Sequence, residues 1–202
     1  MGSIRVRRAD AADLDATSAV LADAFADYAW TRWTVAGDGH RDRIEALQRL
    51  VIERIALPYG EVWVAEDERG VAGAAIWMVP TSSVPADVQE ATAARQSELE
   101  GDRHVASARA DAACVPLRPA RPHYYLGAVG TRCDRQRNGI GTAVLQPLLD
   151  RARAEDAIAF LETSDRANVA FYERLGFTVT GEIDVPDGGP HVWAMARASV
   201  QS

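Results

Sequence analysis

The chain has 202 residues, 48% of them apolar and 25% charged, with a net charge of −7. That is the size and balance of one globular domain with a sizeable core, and an acidic excess without a basic stripe argues against a nucleic-acid partner. Cys114 and Cys133 have neither disulfide nor metal spacing. No apolar run reaches the roughly 18 residues of a membrane span, and no leader pattern is seen, so a cytoplasmic location with no membrane partner is expected.

Residues 3–8 alternate Ile4 and Val6 with arginines and predict an edge strand. Asp10 or Asp13 can cap a helix that carries Leu14, Leu21, Phe25 and Tyr28 close to one face. An aromatic connector, Tyr28-Ala29-Trp30-Thr31-Arg32-Trp33, leads to a second amphipathic helix over 41–57, with Ile44, Leu47, Val51 and Ile55 on one stripe. Strands at 61–65 and 71–78 form a hairpin through Asp67-Glu68-Arg69-Gly70. From Pro85 to about Cys114 the chain is rich in Ala, Glu and Arg and has no strand signal. It reads as two short helices broken at Gly101-Asp102, within an insertion spanning 81–122.

Tyr124 to Thr131 reads as a short buried strand. A polar loop follows, with Arg132, Arg135 and Arg137, then Gly139-Ile140-Gly141 at the start of a helix that runs to about Ala154. Strand, glycine loop and helix start make an anion site, because the first helical turn has free N–H groups and the positive end of the helix dipole. Val144 stands where a dinucleotide fingerprint needs its third glycine, and no lysine supplies a Walker loop. Pro147 cannot donate to the Ala143 carbonyl, so a kink is expected there. The strand at 157–163 completes a right-handed βαβ unit with parallel strands. A helix over 169–175 is capped from within 164–168 and stopped at Gly176, and closing strands lie at 177–180 and 192–195.

Gln136-x-x-Gly139-x-Gly141 resembles the pyrophosphate loop of the GCN5-related N-acetyltransferases (GNAT). Asn168-x-x-x-Tyr172-x-x-x-Gly176-Phe177 resembles a second motif of that family, and the order of elements is that of the family too. The segments 24–28, 62–65, 160–164 and 171–180, with Trp193-x-Met195, are similar to a branch that acetylates an aminonucleoside antibiotic.

The resemblance implies an α/β (α+β) fold: a mixed central sheet of about six to seven strands, helices on both faces, and a helical insertion before the fourth strand. One domain would span 1–202, as a monomer or homodimer. Acetyl-CoA would be the co-substrate, with no metal, and the acceptor a primary amine of a small molecule such as an amine-bearing antibiotic or metabolite. The amine would attack the thioester directly. A protein or peptide acetyltransferase and a non-catalytic acyl-CoA sensor are the rival readings.

By the same resemblance, backbone of Val129, Gly130 and Thr131 pairs with the pantetheine arm. Gln136, Arg137, Asn138, Gly139, Ile140, Gly141 and Thr142 hold the pyrophosphate, and Asn168 bonds the pantetheine region. Tyr172, with an ordinary phenol pKa of about 10, is the acid for the departing thiolate. Glu162, at the carboxyl end of its strand, is either the base or water-orienter or a carboxylate that binds a cationic substrate or caps the next helix. Tyr28, Trp30, Trp33, Trp77 and Tyr124, with the insertion, are candidate walls for the acceptor. His191 is expected on the surface, and Cys133 has no task in direct transfer.

Overall fold

The computed structural model describes residues 4–198, and seven strands form one sheet in it. In chain order they are β1 (Arg5–Arg8), β2 (Glu61–Asp67), β3 (Gly70–Met78), β4 (Tyr124–Thr131), β5 (Ala159–Thr163), β6 (Thr178–Asp184) and β7 (His191–Arg197). Their spatial order is β1-β2-β3-β4-β5-β7-β6. All neighbours are antiparallel except β4 and β5, which are parallel and joined by a crossover helix, α7 (Ile140–Ala154). This is the mixed sheet with helices on both faces that the sequence predicts. The expected first strand begins at Arg5, and Ser3 lies outside the described residues.

Alternation along the strands decides which helix covers which face. Val62, Val64, Ala74 and Ile76 point toward α1 (Leu14–Phe25) and the helix that begins with α3 (His40–Val51). Ala75 and Trp77 point the other way, under the Val144, Leu145, Leu148 and Leu149 stripe of α7. Burying each such leucine fully contributes roughly 1.5–3 kcal/mol. Gly130 is required by this packing, because a Cβ there would lie 2.7 Å from the Cβ of Ala24 on α1. Helix α7 is continuous across Pro147, which is half-buried.

Both candidate N-terminal aspartates act at the start of α1. Asp10 accepts the Ala12 N–H at 2.8 Å, and Asp13 accepts the Asp10 N–H at 3.0 Å, a capping box around a 3₁₀ turn. Arg7 donates to both Asp13 oxygens, at 2.6 and 2.7 Å, and reaches Glu66 at 2.9 Å. One guanidinium thereby ties β1 to α1 and β2.

The helix expected over 41–57 is α3, a π-helical turn (Ile52–Ala56) and a short α4 (Leu57–Tyr59). The insertion is α5 (Ala86–Glu100) and α6 (His104–Cys114), separated at Gly101 as predicted. Between α1 and α3 the aromatic connector forms α2 (Ala29–Thr34). After β5 comes α8 (Arg166–Glu173), whose N-cap Asp165 accepts the Ala167 N–H at 2.8 Å.

Candidate active site

The site begins where the sheet opens. β4 and β5 pair only through Tyr124–Leu126 and Ala159–Leu161, yet β4 continues to Thr131. The edge of residues 127–131 that faces β5 is therefore left unpaired, a strand edge ready to accept another extended chain. The cause is local. Gly127 is an extra residue in the β3–β4 ladder, where Ile76 pairs with Ala128 and Trp77 with Leu126, and such a bulge bends its strand and increases its twist.

At the far end of that edge lies the glycine loop. Gly139 has φ +77°, a left-handed conformation that favours glycine. The Ala143 N–H closes the first turn of α7 on the Gly139 carbonyl at 2.9 Å, so the N–H groups of Ile140, Gly141 and Thr142 precede the helical ladder and are free. A Cβ on Gly141 would meet no protein atom closer than 3.6 Å, so packing does not demand glycine there, whereas a ligand lying on the turn would. Of the three loop arginines, Arg135 is bound to Asp67 at 2.9 Å and Arg132 to Asp134 at 3.1 Å. Arg137 is exposed and has no such partner among the described residues. The loop thus fits a diphosphate: free amides, a helix N-terminus and one uncommitted cation.

On α8 stands Tyr172, 6% exposed. Its phenol borders a cavity of about 360 Å³ and has no hydrogen-bond partner among the described residues. Burial, and secondarily the neighbouring Tyr28, raises its pKa well above the ordinary phenol value, so it is a proton donor at neutral pH. Asn168 borders the same cavity and donates to Thr163 Oγ1 at 3.3 Å. The Tyr28 hydroxyl bonds Thr163 Oγ1 at 2.9 Å and accepts the Ser164 N–H at 2.6 Å, which ties the connector to the end of β5.

The rest of the cavity lies under the inserted helices. Arg118 donates to both oxygens of Glu162, at 3.0 and 3.1 Å, and the Tyr125 hydroxyl donates to Glu162 at 2.8 Å. Burial opposes the charge on Arg118, but its bonds to Glu162 outweigh that and hold it fully protonated. Burial also raises the pKa of Tyr125, with Glu162 adding to the effect. Glu100 on α5 accepts from Ser107 at 2.6 Å, and burial raises its pKa. Asp111 on α6 borders the cavity and is exposed, and the protein crowded around it raises its pKa as well. Burial pushes the Cys114 thiol up to about 11, so it is an inert wall. The opposite wall is apolar, with Leu47, Val51, Ile55 and Met78. The π-turn of the α3 helix shapes that wall, with Val51 and Ile55 at the cavity while Ile52 stays in the core.

Among the acceptor-side residues expected from sequence, Tyr28 and Trp30 border this cavity. Trp77 and Tyr124 do not: both are in the core on the α7 face. Tyr124 bonds Glu155 and accepts from Arg151 at 2.8 Å, fastening the end of α7. Its neighbour Tyr125 faces the cavity instead, because the Gly127 bulge reverses the inside–outside parity of β4. Trp33 is packed with Ala110, Val185 and Val192 under the Arg103 guanidinium, 4.3 Å from its ring, and lies outside the cavity. Glu162 is at the cavity, but its ion pair and phenol bond occupy it, which makes it an anchor for the wall rather than a free base. Sequence reading missed Tyr125, Arg118, Glu100 and Asp111. Only strand parity could have signalled Tyr125, and nothing local marks the other three. His191 sits on the surface between Asp184 (2.7 Å) and Glu182 (3.4 Å), as expected, and Cys133 is exposed beside the Asp23 carbonyl.

A parallel pair splayed beside an open strand edge, a glycine turn with free amides at a helix start and a buried, protonated tyrosine are combined in one mixed α/β sheet protein. The family model described as Acetyltransferase (GNAT) family matches residues 23–177, and the chain belongs to that family, whose co-substrate is acetyl-CoA. An L-methionine sulfoximine/L-methionine sulfone acetyltransferase of Pseudomonas aeruginosa is 34% identical over 59 residues, which is 28% of this chain and 34% of that protein. The match therefore spans about a third of that relative's length. A Corynebacterium glutamicum structure described as histone acetyltransferase HPA2 and related acetyltransferase covers 100% of this chain and 99% of its own, at 29% identity and a TM-score of 0.76. Drosophila melanogaster polyamine N-acetyltransferase, which forms N-acetylagmatine, shares the fold at 13% identity and a TM-score of 0.59, covering 97% of this chain and 100% of its own.

Proposed function

We propose that the chain transfers an acetyl group from acetyl-CoA to a primary amine of a small molecule by direct attack on the thioester. The observation that carries this reading is the continuity of one cavity, from the open β4 edge and Tyr172 to a chamber roofed by α5 and α6. A cavity of about 360 Å³ in all, covered at one end by α5 and α6, suits a small molecule, whereas a protein acceptor needs an open groove.

The residues have separable tasks. Amides of Ile140, Gly141 and Thr142, with Arg137, hold the diphosphate. The free edge of Val129, Gly130 and Thr131 aligns the pantetheine arm, and Asn168 bonds that arm. Gln136 and Asn138 shape the loop, with Asn138 donating to the Arg135 carbonyl at 3.1 Å. Alignment of this kind can remove roughly 7–11 kcal/mol from a bimolecular barrier. Tyr172 then gives its proton to the leaving sulfur, and water in the cavity carries one away from the amine. An α-amino-like group costs only about 1 kcal/mol to deprotonate at pH 7, against nearly 5 for a lysine-like amine. Glu162, held by Arg118 and Tyr125, is not available as a strong base, which suits the less basic amine.

Similarity of the segments 24–28, 62–65, 160–164 and 171–180 to puromycin N-acetyltransferase supports an aminonucleoside or another ring-bearing amine, in resistance or biosynthesis. The aromatic wall of Tyr28, Trp30 and Tyr125 supports it too. The partial likeness to an amino-acid-analogue acetyltransferase supports a small acceptor. The test is free-thiol release from acetyl-CoA with puromycin, 2-phenylethylamine, spermidine and an unblocked peptide. Turnover of a ring-bearing small amine is expected. Turnover of the peptide alone would make the chain a peptide acetyltransferase, and acetyl-CoA binding with no thiol release from any amine would make it a sensor.

A further inference from the structure

We propose that Asp111, on α6, receives the charged nitrogen of the acceptor and makes the cavity selective for cationic molecules with an apolar or aromatic body. This rests on the acetyl-transfer reading and adds a specificity-determining residue to it. Three carboxylates border the cavity, Glu100, Asp111 and Glu162, against one guanidinium, Arg118. Two of the three are satisfied. Glu162 is held by both Arg118 donors and by Tyr125, and Glu100 accepts from Ser107 and Gln96. The Asp111 carboxylate has no hydrogen bond or ion pair among the described residues. Two residues before it on the same helix, Arg109 points elsewhere and pairs with Asp187 at 2.9 Å.

Arg118 is the favourable charge near Asp111, and Glu162 opposes it. Glu162 takes both donors of that guanidinium and Glu100 has only neutral donors, so the chamber carries an excess of negative charge, with Asp111 as its carboxylate without a hydrogen bond. An unpaired carboxylate at a cavity wall attracts a cation that enters. Leu47, Val51, Ile55 and Met78, with Gln48 the polar side chain among them, bring no charged group to the cavity and accommodate a hydrocarbon body. The ligand class is therefore an amine with its charge at one end.

The test uses the full chain saturated with CoA, so that no turnover occurs, titrated with 2-phenylethylamine and with the neutral isostere 2-phenylethanol by calorimetry. The wild type is expected to bind the amine at least 10-fold more tightly than the alcohol. Asp111→Asn should bring the two within about twofold while leaving alcohol and CoA affinities unchanged, and Asp111→Glu should keep part of the preference. Preference retained in Asp111→Asn overturns the proposal, as does a wild type that binds the probes equally or binds neither. Thiol release is not read in this experiment, so failed acetyl transfer leaves its result standing. A wild type that binds amine and alcohol equally, yet releases thiol in the separate acetyl-transfer assay, would sink the role of Asp111 alone.

Discussion

Tyr172 is a buried phenol whose hydroxyl faces the cavity without a protein partner, so truncating it removes chemistry rather than a structural bond. Tyr172→Phe is expected to lower kcat by roughly 10²-fold or more while leaving the affinity for acetyl-CoA within about twofold, read by steady-state kinetics beside calorimetry; equal losses in both would make the hydroxyl structural. Arg118 behaves oppositely. Its removal strands Glu162, which is 12% exposed, with only a phenol for company. Arg118→Met is expected to cost about 3 kcal/mol of stability in urea titration. Both residues border one cavity, yet the first is dispensable to the fold and the second is not. Asp111→Asn should raise the melting temperature at pH 7. Its folded pKa is raised by burial, so its ionised form is the less stable one above the unfolded value near 3.9.

At the scale of elements, the Arg7–Asp13–Glu66 cluster joins one strand to the helix that covers the site. The bonds from Arg7 hold the Asp13 carboxyl below its usual range, against the opposing effect of burial. A depressed folded pKa stabilises the ionised form. The contribution is therefore complete above about pH 4 and disappears as pH falls through the folded value. Asp13→Asn should cost about 2 kcal/mol at pH 7, roughly 4–8 °C in melting temperature, and should make the loss of stability below pH 4 shallower than in the wild type; an unchanged acid limb would show that the pair does not govern it. The glycine loop is a second element-level case. A Cβ on Gly139 meets nothing within 4 Å, so the φ of +77° alone sets the cost of Gly139→Ala. About 1 kcal/mol of strain is expected in urea titration.

Across the whole molecule, β4 is where sheet, loop and cavity meet. A ligand laid along its open edge, capped by α7 and enclosed by α5 and α6, would couple these parts and stabilise them together. Acetyl-CoA at 100 times its Kd should add about 2.7 kcal/mol, a rise of roughly 5–11 °C for a chain of this size, measured by thermal scanning with and without the nucleotide. Absence of any shift would remove the basis for cofactor placement. Among the described residues no helix is long and apolar enough to cross a membrane.

Most of the architecture was legible because its causes are local. Period-two and period-3.6 apolar patterns marked the strands and helices, the Asp10–Asp13 pair and the stretch 164–168 marked helix starts, and Gly139 marked the turn into α7. Tyr172 was visible because its motif has fixed spacing on one short helix. The acceptor chamber was not, because it is assembled from parts far apart in the chain. One unpaired residue at Gly127 exchanged Tyr124 for Tyr125 at the cavity wall, and a long-range ion pair turned Glu162 from a free carboxylate into an anchor. Propensity and spacing act over a few residues and so were written in the order of the amino acids. Parity across a bulge, the partner of a buried charge and the enclosure of a cavity depend on neighbours brought from distant segments, and only the folded chain decided them.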